Sequence, residues 1–203
     1  EEGRPYDFDK AEVRERARRR VAEEKPYLLI GSPMCTPFSI LQKLSREKRD
    51  PVEFKRMLHH GITHLKSCTL LYWEQINNGR YFLHEHPWWA SSWRIKKVEE
   101  VMEMFDVFTV RGDMCRWGMK SEDEHGEGLV KKPTGWMSNS TDILEQLSAK
   151  CQSKGGICSA TGRPHAVCSG TTAKRAAEYP FAICKAILKG LHKHLRKVGK
   201  TSF

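Results

Sequence analysis

Two short apolar segments on either side of a long helical pattern constrain the fold of this chain most strongly. The run at 27–31 is typical of a buried strand, and the run at 80–85 predicts a second short strand. Between them, apolar residues recur at three- and four-residue steps over 51–78, which predicts a helix. Strand, helix and strand in this order predict a parallel pair joined by a crossover helix.

The rest of the chain extends this alternation of helices and strands. Helices are predicted over 10–24, 96–105, 141–150 and 173–197, strands over 108–110 and 129–137, and an acidic loop over 119–128. This order predicts one α/β domain over 1–203, with a Rossmann-like, mostly parallel sheet and helices on both of its faces.

Composition limits the partners of the chain. The formal net charge is +10, which favours a polyanion such as nucleic acid. The excess of Lys and Arg is concentrated at 14–20 and 185–200, within predicted helices. A solvated helix face explains each of these basic blocks as well as a nucleic-acid partner does. No apolar run approaches the roughly 18 residues of a membrane span. Seven cysteines without a secretory signal indicate a reducing, intracellular setting.

Reactive side chains follow three of the predicted strands. Cys35 lies between two prolines after the first strand, Glu85 ends the second, and Asp113 and Cys115 follow the third. Ligands of open parallel sheets bind at the carboxyl ends of the strands. A stiffly held, partly exposed thiol is suited to nucleophilic attack, whereas a buried structural cysteine is the simpler alternative for Cys35.

Four segments carry a resemblance to cytosine carbon-5 DNA methyltransferases. Residues 31–39 (GSPMCTPFS) resemble the nucleophile motif, 82–87 (FLHEHP) the strand that ends in Glu-Asn-Val, 130–140 (VKKPTGWMSNS) a Lys-Pro-Thr…Trp-x-Thr-Asn stretch, and 176–184 (AAEYPFAIC) the C-terminal segment. The likeness extends over 6–191. It is strongest to the methylase-like domains in retrotransposon polyproteins of dinoflagellates and related protists.

The resemblance implies a chemistry and a set of contacts. Cys35 would add to carbon 6 of a flipped-out cytosine, Glu85 would act as the acid, and S-adenosylmethionine would donate the methyl group. Expected substrate contacts are Pro33, Ser39, His86, Trp88, Lys132 and Thr134. Expected cofactor contacts are Asp7, Tyr179 and Pro180. A nuclear protein acting on DNA is therefore expected.

The sequence also departs from the family pattern. Met34 stands where the family has proline, His86 where it has asparagine, and no Phe-x-Gly-x-Gly segment precedes Tyr27. A partial methyltransferase fold is therefore expected, without the N-terminal cofactor-binding strands and dependent on them for S-adenosylmethionine. The alternative is a catalytically degenerate domain that binds nucleic acid beside other segments of a mobile-element polyprotein. A thiol hydrolase using Cys35 with His84 or His86 is a third interpretation.

One cluster of residues has the composition of a zinc site but not its usual spacing. Cys151, Cys158, His165 and Cys168 offer four possible ligands within 18 positions. Zinc sites usually contain a pair of cysteines separated by two to four residues, and only His165 and Cys168, separated by two residues, come close to that pattern. A loop with scattered thiols is therefore favoured over a metal site.

Overall fold

The computed structural model describes residues 6–39, 50–124, 126–167 and 178–200. The chain divides into two compact units, Glu1–Val107 and Phe108–Phe203. Both units combine helices and strands, so the chain is a mixed α/β protein. The expectation of a single domain stays a prediction.

The first unit contains the strand–helix–strand motif that the sequence predicts. Its elements are α1 (Ala11–Glu24), β1 (Leu28–Gly31), α2 (Pro51–Asn77), β2 (Tyr81–Pro87) and α3 (Lys96–Met102). β1 and β2 pair in parallel, with Leu28 opposite Tyr81 and Gly31 opposite His84, which confirms the predicted pair. Pro51 begins α2 because its missing N–H is not needed there, and Asp50 caps the helix by accepting the N–H of Val52 at 2.9 Å.

Aromatic and aliphatic side chains from α2 and β2 form the core of this unit. Leu65, Tyr72, Phe82 and Leu83 are fully buried, and the rings of Tyr72 and Phe82 stack with centroids 4.5 Å apart. A side chain at Gly31 would collide with the Tyr72 hydroxyl. Glycine at the end of β1 therefore allows the close approach of α2.

The second unit is built from antiparallel strand pairs. Its elements are β3 (Phe108–Asp113), β4 (Lys120–Asp123), β5 (Gly126–Leu129), β6 (Pro133–Ser138), α4 (Thr141–Leu147) and α5 (Phe181–Lys197). β3 pairs with β6, and β4 with β5. The expectation of a mostly parallel sheet is therefore wrong for these strands. The chain returns from β3 to β6 without the crossover helix that parallel pairing requires.

Two sequence predictions in this unit need correction. The acidic loop expected over 119–128 contains the β4–β5 hairpin, in which the ion pair between Lys120 and Glu127 spans 2.7 Å. The last helix begins at Phe181, after the extended Pro180. The earlier part of that prediction, 173–177, lies outside the described residues.

Helices α4 and α5 pack closely through Gly190. A Cβ atom at this position would lie 2.6 Å from Cα of Ile143 and 2.8 Å from the carbonyl of Asp142. Lys193 and Lys197 of α5 bind the buried carboxylate of Asp142, at 3.1 and 2.6 Å. In the described parts of the chain, no helix is long and apolar enough to cross a membrane.

Candidate functional site

The Cys35 loop leaves the carboxyl end of β1 and is partly buried. Pro33 is buried, Met34 is exposed, and the Cys35 residue itself is of intermediate exposure. A single 3-10 turn, Thr36–Phe38, follows, in which the N–H of Phe38 donates to the carbonyl of Cys35 at 3.0 Å. The two prolines and this turn give the loop little backbone freedom.

Helix α2 anchors the N-terminal side of this loop. The backbone N–H of Met34 donates to Nδ1 of His64 at 3.4 Å, and Phe8 stacks on the His64 ring at 4.6 Å. Burial lowers the pKa of His64, which keeps the imidazole neutral and its Nδ1 able to accept. The residue before Cys35 is therefore tied to a long helix.

The C-terminal side of the loop is held by packing. A Cβ atom at Gly61 would lie 2.5 Å from Pro37 and 3.0 Å from the ring of Phe38, so the turn rests directly on α2. The Phe38 ring also lies 5.8 Å from the ring of His86. His86, in the position of the family's asparagine, thus contacts the turn that follows Cys35.

Glu85 and its neighbours lie at the carboxyl end of β2. Glu85 is 7% exposed, while His84 and His86 are almost completely buried. Alternate side chains of a strand point to opposite faces, so the two histidines share one face and Glu85 occupies the other. Since β1 and β2 are parallel and paired, Cys35 and Glu85 belong to the same edge of this strand pair.

The two histidines are held in the core. Nδ1 of His84 shares a hydrogen bond with the Tyr72 hydroxyl at 2.9 Å, and Nδ1 of His86 shares one with Ser92 at 2.6 Å. The indole of Trp93 lies edge-on to both rings. Burial, and secondarily the proximity of His86, lower the pKa of His84 well below its usual value. An enclosed His84, whose lowered pKa makes it a weak base, is poorly suited to act as the base of a thiol hydrolase.

A pocket of about 460 Å³ lies beside β1. Its walls include the rings of Tyr6 and Phe8, the side chain of Ile30 and the backbone at 31–32. Its polar side carries Arg20 and Glu24, whose side chains are 2.6 Å apart. The volume lies within the range of small-molecule sites.

The expected cofactor residues have local structural roles. The Asp7 carboxylate accepts the N–H of Asp9 at 3.2 Å, just before α1, in the first unit. Tyr179 and Pro180 belong to the second unit, where Tyr179 packs edge-on to Trp136 and Pro180 precedes α5. No sequence motif predicts the pocket beside β1, although the apolar 27–31 run borders it.

The expected substrate residues are likewise divided between the units. Pro33, Ser39, His86 and Trp88 belong to the first unit, and Lys132 and Thr134 to the second. Thr134 is buried and donates its hydroxyl to the carbonyl of Lys132 at 3.1 Å. Trp88 packs against Trp89, with ring centroids 6.3 Å apart.

The thiols of the second unit are grouped rather than scattered. Sγ of Cys115, Cys151 and Cys158 and a ring nitrogen of His165 all lie within 4.8 Å of one another. Sequence spacing does not connect Cys115 with this group, because it lies 36 positions before Cys151 in the chain. Cys168, the fourth ligand candidate from the sequence, lies outside the described residues.

Hydrogen bonding and burial shift the pKa values of two of these thiols in opposite directions. Burial opposes ionisation of Cys151, but hydrogen bonds from the side chain and backbone of Ser159 and from the neighbouring thiols outweigh it, and its pKa falls to about 6. Burial raises the pKa of Cys115, and the other two thiols reinforce the effect. The cluster therefore contains one thiol that ionises readily, Cys151, beside Cys115, whose ionisation would need a compensating positive charge.

The basic block of α1 is largely engaged within its own unit. Arg18 pairs with Glu74 at 2.6 Å, and Arg20 pairs with Glu24. Arg14 donates to backbone carbonyls, and the guanidinium of Arg16 lies 4.6 Å from the ring centroid of Tyr6. This block is therefore mainly structural.

Comparison of the chain with protein-family models, with curated proteins and with solved structures finds no match.

Proposed function

We propose that the first unit carries the nucleophile and the acid of a cytosine carbon-5 methylation site acting on nuclear DNA. The pairing of β1 and β2 supports this proposal, because it brings the Cys35 loop and Glu85 to one edge of a parallel strand pair. Anchoring of the loop by His64, Gly61 and His86 supports it further, since a nucleophile must be held before its substrate arrives.

In this proposal the Cys35 thiolate adds to carbon 6 of a cytosine turned out of its helix. Glu85 donates a proton to ring nitrogen 3, which neutralises the charge that develops in the ring. After carbon 5 has taken a methyl group, its proton passes to a base, and the electrons of that bond expel the Cys35 thiolate.

S-adenosylmethionine would supply the methyl group, and the pocket beside β1 fits part of such a molecule. Tyr6 and Phe8 offer aromatic rings for an adenine. Gly31 and Ser32, four and three residues before Cys35, line the same wall. These residues replace, in this proposal, the glycine-rich loop that the sequence does not contain.

Trapping on DNA that contains 5-fluorocytosine tests the proposal. A base cannot remove the fluorine from carbon 5 as it removes a proton. The Cys35–carbon 6 bond should therefore persist and give a denaturation-resistant adduct in the presence of S-adenosylmethionine. Cys35→Ser should abolish the adduct, and Glu85→Gln should slow its formation by about 10²–10⁴-fold. Cys184→Ser, at another partly exposed cysteine, is the matched control and should react normally. Absence of an adduct, or its survival in Cys35→Ser, would refute the proposal.

The outer face of α5 favours a second function, nucleic-acid binding without catalysis, as in a degenerate domain of a mobile-element polyprotein. Lys185, Lys189 and Arg196 are exposed on α5 and have no ion-pair partner among the described residues. Phe181 and Leu188, 82% and 63% exposed, lie on the same side of the helix. Cations interleaved with apolar side chains suit a phosphate backbone with unstacked bases.

Salt titration of DNA binding distinguishes this function from the first. Combined Lys185→Ala, Lys189→Ala and Arg196→Ala should weaken binding and reduce the slope of log K against log salt by about 0.9 for each lost phosphate contact. Arg19→Ala, at a residue paired with Glu23, is the control. Binding that survives Cys35→Ser, without adduct formation by the wild-type chain, would favour the second function over the first.

A further inference from the structure

The second unit contains a cluster whose chemistry neither proposed function uses. Cys115 lies in the 3-10 turn Met114–Trp117 after β3, whereas Cys151, Cys158 and His165 lie in the segment between α4 and α5. The three cysteines are buried, and all are free thiols. A sulfur–sulfur distance of 3.9 Å between Cys151 and Cys158 excludes a disulfide between them in this structure.

The distances within the cluster match those between the ligands of one tetrahedral zinc ion. With Zn–S of about 2.3 Å and Zn–N of about 2.0 Å, two sulfurs should be about 3.8 Å apart, and a sulfur and a nitrogen about 3.5 Å apart. The Cys151–Cys158 sulfur distance is 3.9 Å, and Sγ of Cys151 lies 3.6 Å from Nε2 of His165. No two of the four ligand atoms are more than 4.8 Å apart.

Surrounding groups orient the ligands. Nδ1–H of His165 donates to the carbonyl of Gly156 at 2.9 Å, which leaves Nε2, the nitrogen that faces Cys151, with its lone pair. The N–H of Ser159 donates to Sγ of Cys151 at 3.4 Å. The buried carboxylate of Asp113 accepts the N–H of Cys151 at 2.8 Å and also binds Arg111. Such outer contacts are characteristic of metal sites.

The segment that carries three of the ligands has little regular secondary structure. Between 148 and 167 the described residues form no helix or strand, and their β-pairing is limited to two isolated bridges, Lys154–Ile157 and Ile157–Pro164. The buried core there consists of the three cysteines, with Leu129 packed against them. Metal binding by these thiols would therefore add a cross-link that the local secondary structure does not provide.

We propose that Cys115, Cys151, Cys158 and His165 bind one structural zinc ion. Four protein ligands close the coordination sphere, so the ion has no open position for substrate. Three thiolates and one imidazole favour zinc over magnesium or calcium, which prefer oxygen. The ion joins the turn after β3 to the segment before α5.

Metal analysis of the full chain, expressed in zinc-containing medium and purified under reducing conditions, tests this site. Elemental analysis should find one zinc per chain and no iron, and cobalt added to the stripped chain should give a thiolate-to-cobalt charge-transfer band. Cys115→Ser and Cys158→Ser should each lower zinc affinity by more than the roughly 10–100-fold effect of an outer-contact change. Cys184→Ser should retain the metal. A wild-type chain without zinc and without the cobalt band would overturn the proposal.

Two further variants test the ligand set itself. Cys168→Ser should retain zinc, because the four described ligands complete the tetrahedron without that residue. Loss of zinc in Cys168→Ser together with its retention in Cys115→Ser would overturn the assignment. His165→Cys should keep one zinc per chain while strengthening the cobalt charge-transfer band. This outcome separates loss of a ligand from general misfolding, since the substitution preserves ligand number; loss of the metal in His165→Cys would count against the site.

Discussion

His64 accepts the backbone N–H of Met34 at 3.4 Å, and this hydrogen bond ties helix α2 to the residue immediately before Cys35. The His64 ring is fixed in turn by stacking on Phe8. The position of the Cys35 loop therefore depends on the imidazole as an acceptor.

Substitution of His64 should consequently affect reactivity more than stability. His64→Leu keeps an apolar side chain near Phe8 but removes the acceptor, so the free energy of unfolding should fall by about 0.5–1.5 kcal/mol. Adduct formation on 5-fluorocytosine DNA should slow by about 10–100-fold, because the loop is no longer held in place. Urea unfolding and trapping rates measure the two effects. His59→Leu, on the exposed side of α2, is the control, and equal trapping rates in both variants would contradict the anchoring role.

Burial of His84 predicts that the first unit loses stability in mild acid. Desolvation, and secondarily His86, lower the pKa of His84 well below the ordinary value of about 6.5. The unfolded chain therefore binds a proton that the folded chain does not, and stability falls as the pH drops below about 6.5. Above that pH the contribution is complete. The expected slope approaches about 1.4 kcal/mol per pH unit for this one group.

Urea unfolding at pH 7.5, 6.0 and 5.0 checks this behaviour. His84→Gln keeps a polar group near Tyr72 but cannot titrate, so it should flatten the acid limb while lowering stability at neutral pH. The exposed His59→Gln should leave the limb unchanged. A wild-type protein with the same unfolding free energy at all three pH values would show that His84 does not behave as a buried neutral group.

Local patterns were sufficient to predict the first unit. The apolar 27–31 run, the helical periodicity over 51–78 and the 80–85 strand each reflect neighbours in the chain, and they appear as β1, α2 and β2. The parallel pairing follows because neighbouring parallel strands need a long crossover connection, and the predicted helix over 51–78 supplies one. The position of Cys35 after β1 was predictable for the same reason.

The second unit depends on contacts that sequence spacing does not reveal. The N–H of Met114 donates to the carbonyl of Lys131 at 2.7 Å, and pairing of β3 with β6 fixes that approach. Cys115 reaches Cys151 only through this nonlocal arrangement. Sequence spacing instead indicates Cys168 as a candidate zinc ligand, because it lies three positions after His165. A spacing pattern includes only residues that are close in the chain.

Gly190 should be intolerant of even one additional carbon atom. Gly190→Ala improves helix propensity by about 1 kcal/mol, but its Cβ would lie 2.6 Å from Cα of Ile143 on α4. Backbone cannot yield as a flexible side chain does, and overpacking costs about 1–3 kcal/mol. The net expectation is a loss of up to about 2 kcal/mol in the free energy of unfolding, measured in urea. Lys189→Ala, at the neighbouring exposed position, should change it little, and a stabilised Gly190→Ala would refute the close packing.

Asp113 should control zinc affinity without touching the ion. Its buried carboxylate accepts the N–H of Cys151 at 2.8 Å and binds Arg111 at 3.0 Å, so it holds the backbone that presents the Cys151 thiol. Asp113→Ala should weaken zinc binding by about 10–100-fold, the effect usual for outer contacts of a metal site. The zinc affinity of Asp113→Asn should lie between those of the wild-type chain and Asp113→Ala. The amide keeps one oxygen that can accept the Cys151 N–H, but it loses the charge that holds Arg111.

Competition with a chromophoric chelator measures this affinity, and Asp106→Asn, an exposed residue of the first unit, is the control. Cobalt spectra should show that Asp113→Ala retains all four ligands, since the charge-transfer band depends on the thiolates that bind the metal. Unchanged zinc affinity in Asp113→Ala would mean that the Cys151 backbone holds its position without the carboxylate. Loss of the charge-transfer band in Asp113→Ala at saturating cobalt would instead mean that the carboxylate maintains the fold around the whole site. It would then do more than orient the Cys151 thiol.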